Sequence, residues 1–206
     1  MLGSFPNLVF ATPKKLPDAR TLLGRVAVLD LGFCAQGLSP SFENMTGPFL
    51  TALGDRLCAW IDHHDHPYHK RYRGDSRFVL SSKKKHPACA PMVTSQVVSQ
   101  LGPADTLVAH LDFDGIYSMA RWILGGHEPY PGADADAIAV DIRTGDLTPR
   151  GRMIDYALRA RYHDENLKIA TVHALCNPEQ SSHFWKIIHE AAQEYEQLLE
   201  TTLQWA

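Results

Sequence analysis

Long apolar runs are missing from this 206-residue chain. None approaches the roughly 18 residues that a membrane-spanning helix needs, which excludes an integral helical membrane protein. The four cysteines, at 34, 58, 89 and 176, show no CxxC spacing, so neither a disulfide scaffold nor a cysteine zinc site is indicated. An excess of basic charge is missing too. Lys and Arg number 20 against 23 Asp and Glu, with a formal net charge of -3 and a pI near 6.4. That balance argues against a dedicated duplex-DNA binder with a basic face. The opening MLGSFPNLVFATPKK lacks the basic start and long apolar stretch of a signal peptide. No internal repeat, low-complexity tract or linker interrupts the chain. A soluble, cytoplasmic α/β protein with a real core is the expectation that remains. One abundance stands against these absences: eleven histidines, five of them between His63 and His86.

Short apolar runs ending in acidic or small residues recur, the pattern of buried parallel strands. Asn7–Ala11, Arg25–Leu31, Leu57–Ile61, Arg77–Leu80, Thr106–Leu111 and Ala137–Val140 are the candidate strands. Helices are expected at Pro17–Leu23, Pro48–Leu53, Met92–Leu101 and Gly115–Leu124, then at Gly151–Tyr162, Glu165–Ala174 and Ser182–Gln204. The stretch Gly126–Ala135 reads as a surface loop. In the last helix Trp185, Ile188, Ala192, Tyr195 and Leu199 repeat at 3-4-3-4 spacing and make one stripe. It either packs on the rest of the chain or joins two copies in a homodimer.

The chemistry gathers at three strand ends. Asp30 follows VAVL, Asp62, His63 and His64 follow LCAWI, and His110-Leu111-Asp112-Phe113-Asp114-Gly115 ends TLVA. In open α/β sheets such carboxyl ends converge on one crevice, the usual ligand site. Carboxylates and imidazoles crowded there need a compensating cation. Mixed Asp and His donors without cysteine suit a pair of Mn²⁺-like ions, with Mg²⁺ as the alternative. Two such ions, about 3.5–4 Å apart, can clamp both oxygens of a phosphoryl transfer.

The segments VLDLG, WIDHH and HLDFDGIYS resemble three signature motifs of the DHH phosphoesterase superfamily, the RecJ-like enzymes. The resemblance covers residues 7 to 145, but the order differs. The family's HxDxDG element comes first, whereas here HLDFDG comes last, as in a circular permutation. The resemblance implies that His110 and Asp112 bind one metal and Asp114 the other, with Asp30 bridging and His63 completing the ligands of the second metal. It implies that His64 faces the substrate phosphate and that Asp62 orients the imidazoles from behind. Gly115 would turn the backbone tightly under the metals. Ser118, in the first turn of the next helix, is either a substrate-binding hydroxyl or a plain helix-surface one. The family's fourth motif supplies one more Asp ligand. Asp141, after AIAV, ranks first for it, ahead of Asp136 and Asp134.

Beyond DHH lies a basic stretch, Lys70, Arg71, Arg73, Arg77, Lys83, Lys84 and Lys85 against Asp75 alone. It is either a solvated loop or a patch that steers a phosphorylated substrate. Lys84 and Arg143 are the candidate phosphate ligands in it and near it, while His66 and His69 either extend the metal shell or, the favoured reading, are surface histidines. The glycine-rich substrate domain of the family's nucleases has no room in the chain. The expected organisation is therefore an α/β core of mostly parallel sheet over residues 1–145, with a helical C-terminal extension over 146–206. The expected function is a divalent-metal-dependent phosphoesterase. It would hydrolyse a phosphomonoester or phosphodiester, of the nucleotide or short-oligonucleotide class, through a hydroxide activated by two metals. The alternative is a nucleotide- or metal-binding sensor or scaffold that keeps the site without turnover; a third is a subunit whose partner completes the site.

Overall fold

The computed structural model describes residues 5–37, 39–177 and 181–204. Residues 1–4, which open the stretch read for a targeting signal, lie outside the described residues. The apolar runs form β1 (Asn7–Ala11), β2 (Val26–Leu29), β3 (Leu57–Asp62), β4 (Phe78–Leu80) and β5 (Thr106–His110). These make one all-parallel sheet in the order β1-β5-β2-β3-β4. Eight α-helices flank it among the described residues. They are α1 (Gly47–Leu53), α2 (His69–Tyr72), α3 (Ser95–Leu101), α4 (Phe113–Ile123), α5 (Ala133–Ile142), α6 (Pro149–Ala160), α7 (Glu165–Cys176) and α8 (Ser182–Gln204). The α/β class expected from the sequence is the one observed.

Every residue of β2 and β3 is buried, which is why these strands read as unbroken apolar runs. The alternation of period two decides instead which layer each side chain enters. Ala27, Leu29, Ala59, Ile61, Leu107 and Ala109 join a core shared with α4 to α8. Val26, Val28, Trp60 and Val108 join another, with Phe33, Phe42 and the α1 residues Phe49 and Leu53. The strand register then assembles the site. Leu29 pairs with Ala109 on one side and Ile61 on the other, so Asp30, His110 and Asp62 leave the sheet abreast.

One expected strand is a helix. Ala137–Val140 lies inside α5, where Ala133, Asp136 and Ala137 form the buried face at i, i+3 and i+4. A four-residue apolar run is too short for its period to be read, and the alanines of ADADAIAVDI favour helix. The same helix takes Ala133, Asp134 and Ala135 out of the expected loop. The expected helix over Pro17–Leu23 shrinks to one 3₁₀ turn, Ala19–Thr21, capped by Asp18. The Met92–Leu101 helix starts only at Ser95, where the Thr94 hydroxyl accepts from the Val97 N–H at 3.2 Å. Within α8, Ile188 and Ala192 of the apolar stripe are buried in the core shared with α4 to α7, and Tyr195 lies against Tyr156 of α6 with ring centroids 5.1 Å apart. The stripe is thus engaged within the chain.

Candidate metal centre

At the end of β2, Asp30 is 2% exposed and holds a left-handed backbone, φ 51°. Among the described residues only Asp30 and Arg143, φ 58°, have positive φ without being glycine. Strain of this kind persists where the surroundings enforce it, and it clusters at functional sites. Next to Asp30, from the end of β3, comes the fully buried His63. Its Nδ1–H donates to the His86 carbonyl at 2.8 Å, and because a carbonyl can only accept, that bond fixes the tautomer. A neutral His63 therefore presents a bare Nε2 lone pair, 3.2 Å from an Asp30 oxygen and 3.6 Å from an Asp114 oxygen. Neither His63 Nε2 nor Asp30 Oδ1 has a hydrogen-bond partner.

Asp112 and Asp114 arrive together at the start of α4. Asp112 is its N-cap, accepting from the Gly115 N–H at 3.1 Å and from His110 Nδ1 at 2.6 Å. Asp114 accepts from the backbone N–H groups of Cys89 and Ala90, at 2.6 and 2.8 Å. Gly115 is required by close approach: a Cβ there would stand 2.1 Å from the His110 carbonyl oxygen. Asp141 joins from the last turn of α5 rather than from a strand end, and both its oxygens bind Lys83 Nζ, at 3.0 and 2.8 Å.

Three overlapping groups offer ligand atoms within 4.8 Å of one another: Asp30 with His110 and Asp112, His63 with Asp114 and Asp141, and Asp30 with His63 and His64. These acidic and histidine groups could hold a metal ion. Their electrostatics without one are unfavourable. Burial, and then the neighbouring Asp114 and Asp112 charges, push the Asp30 carboxyl well above its usual range. Burial drives Asp114 up to about 7 against the pull of its two N–H donors. Burial also lowers the His63 imidazole, so it does not supply the missing positive charge. A lone pair facing two carboxylate oxygens in a dry site is the arrangement that a divalent cation resolves. The donors that meet here are oxygen and imidazole only, since the nearby Cys89 thiol is turned to the Ile61 carbonyl at 3.4 Å.

Asp62, fully buried, accepts from His64 Nδ1 at 2.8 Å, and so orients His64 but not His63. Its other oxygen lies 3.9 Å from His69 Nε2, and both of those atoms lack partners. His66 and His69, read as surface residues, are half-buried, and His66 bonds the Cys34 carbonyl at 3.0 Å. Ser118 is a correction to the substrate-binding expectation: it is wholly buried in α4, with its Oγ unpartnered and closed to any substrate. Asp136 and Asp134, the rivals of Asp141, are engaged elsewhere. Asp136 accepts from Tyr130 and from the Thr148 N–H and hydroxyl, while Asp134 pairs with Arg121.

The basic stretch divides. Arg77 pairs with Asp75, Arg71 stacks over Tyr68, and Lys84 is exposed without a side-chain partner among the described residues. Lys83, which the sequence did not distinguish from its neighbours, is the lysine that reaches the cluster. A cavity of about 710 Å³ opens beside it, walled by Asp112, Asp114, Asp141 and Arg143 on the acidic side. Its far wall is helix α6 with Leu158, Arg159 and the following Tyr162, which no motif indicated. No family model, curated protein or solved structure matches the chain.

Proposed function

We propose that the chain is a divalent-metal-dependent phosphoesterase of the DHH type, with its motif order permuted, using Mn²⁺ or in its place Mg²⁺. One observation carries the reading: His63 Nε2 and Asp30 Oδ1 are buried, unpartnered and 3.2 Å apart, with the cavity-lining Asp114 3.6 Å from the same Nε2. In this reading Asp30, His110 and Asp112 hold one ion, and His63, Asp114 and Asp141 hold the other. Bound there, two such ions supply Lewis-acid charge and a water acidic enough to ionise near neutral pH.

The chain's own side chains position and neutralise. His64, held by Asp62 through Nδ1, would meet a phosphoryl oxygen as the imidazolium, with its Nε2–H as the donor. Lys83 and Arg143 add fixed positive charge where negative charge spreads over the phosphoryl oxygens. Gly115 keeps Asp112 and Asp114 on the strand end, so both carboxylates are pre-placed by the first turn of α4. Substrates of this reading are phosphorylated small molecules, nucleotides or short oligonucleotides.

A second reading is a nucleotide- or metal-binding protein without turnover. The Lys83–Asp141 bond favours it, because an ammonium already occupies the carboxylate that a second ion would take. Hydrolysis assays with purified, Mn²⁺-loaded protein on a panel of phosphomonoesters and phosphodiesters separate the two. Turnover that disappears in Asp112→Ala supports the enzyme. Stoichiometric metal with no turnover on any substrate sinks it in favour of the binding protein.

A further inference from the structure

Beyond the metal ligands, the cavity has a second chemistry. Besides Asp112, Asp114 and Asp141 its lining includes the apolar Leu147, Leu158 and Tyr162, together with Thr144, Asp155 and Arg159. Tyr162 follows the end of α6 and is 46% exposed, although it is among the larger aromatic side chains of the chain. Its placement is built. Lys168 of α7, only 2% exposed and without an acidic partner among the described residues, donates to the Tyr162 carbonyl and to that of Asp164. The same ammonium lies 5.5 Å from the Tyr162 ring centroid. A buried lysine used to hold a backbone turn fixes an aromatic ring at the cavity rim.

We propose that this cavity binds the organic half of the substrate and that Tyr162 is its specificity-determining residue, stacking on a planar unsaturated ring. The proposal rests on the phosphoesterase reading, which puts the phosphoryl group at the carboxylate end. A phosphoryl group there, next to Arg143, leaves its substituent against Leu158 and Tyr162. A flat ring suits these walls better than an alkyl chain. Its faces bury against Leu147, Leu158 and Tyr162, while its edge atoms meet Thr144 and the Arg159 guanidinium, whose Nε is held by Asp155 at 2.7 Å. An alkyl chain would leave those polar groups against hydrocarbon. The room is set by α6, so substrate choice is written in the C-terminal helices, not in the three strand-end motifs.

Calorimetric titration of the Mn²⁺-loaded protein with phenylphosphonate, methylphosphonate and inorganic phosphate tests this without turnover. The wild type should bind phenylphosphonate about tenfold more tightly than methylphosphonate, the size of one aromatic stack. Tyr162→Ala should erase that preference and leave methylphosphonate and phosphate affinities unchanged; Tyr162→Trp should keep it. Equal affinity for the two phosphonates, or a preference that survives Tyr162→Ala, overturns the proposal while the phosphoesterase reading stands. Failure of the wild type to bind inorganic phosphate removes that reading, and the proposal with it.

Discussion

Raising the pH should widen the stability gap between the metal-loaded and the chelated protein, and Asp114 sets the size of the effect. Burial moves its carboxyl from the ordinary 3.8 up to about 7, although the Cys89 and Ala90 N–H groups favour the ionised form. Below the lower value the group is protonated in both the folded and the unfolded chain. Between the two values the chelated folded protein keeps a proton that the unfolded chain has released. The stability this proton gives is lost as the pH rises through about 7. A bound cation displaces that proton at every pH in the window. The gap should therefore grow by about 1.4 kcal/mol per pH unit well below pH 7 and by about half that at pH 7, roughly 2.3 kcal/mol in all from pH 5 to 7 at fixed free Mn²⁺. For a domain of this size, each kcal/mol moves the melting temperature by about 2–4 °C, so the gap should open by about 5–9 °C. Asp30, raised by the same burial, adds in the same direction. The half-buried His66 and His69 are lowered by burial and shift stability the opposite way, but equally with and without metal, so the difference cancels them. Calorimetric melts at pH 5, 6 and 7, with chelator or with buffered Mn²⁺, measure the gap. A gap that stays constant across that range refutes the reasoning.

Asp30→Asn should raise the melting temperature of the chelated protein at pH 7 and abolish the Mn²⁺ shift. Its Oδ1 has no hydrogen bond to lose, asparagine tolerates the left-handed φ of 51°, and the relief should amount to about 1–3 kcal/mol. Asp136→Ala should cost about 3 kcal/mol in urea melts, from three lost hydrogen bonds to Tyr130 and Thr148, and leave the Mn²⁺ shift intact. Gly115→Ala should cost about 2 kcal/mol by forcing α4 off the His110 carbonyl, and it should weaken Mn²⁺ binding in titration because Asp112 and Asp114 move with the helix.

The strands and three of the site's four chain segments were legible because buried parallel strands are long enough to show their composition, and Asp30, Asp62 and His110 sit directly at their ends. The register that sets these residues abreast follows from such strands pairing in parallel. Asp141 reaches the cluster by a route its flanking sequence does not show: AIAV is helical, and the residue arrives because it lies in the last turn of α5. Asp136 could not be told from it, since a buried carboxylate bound to Tyr130 and Thr148 leaves no local mark. Ser118 failed because the helical face of α4 that carries it is fully buried. Lys83 and Lys84 are chemically identical neighbours, and only the turn before His86 decides which one meets Asp141. The cavity wall of α6 was out of reach of motif reading, as Arg159 and Tyr162 lie in an ordinary amphipathic stretch far along the chain from the candidate metal-binding residues. The N–H donors of Cys89 and Ala90, which hold Asp114, are backbone groups that any residue would supply.

Anomalous diffraction at the manganese edge, from crystals grown with Mn²⁺, tests the central claim most directly. Two peaks about 3.5–4 Å apart are predicted, one against Asp30, His110 and Asp112 and the other against His63, Asp114 and Asp141. No peak among these residues, or Lys83 still bound to Asp141 beside a single ion, would contradict a two-metal phosphoesterase.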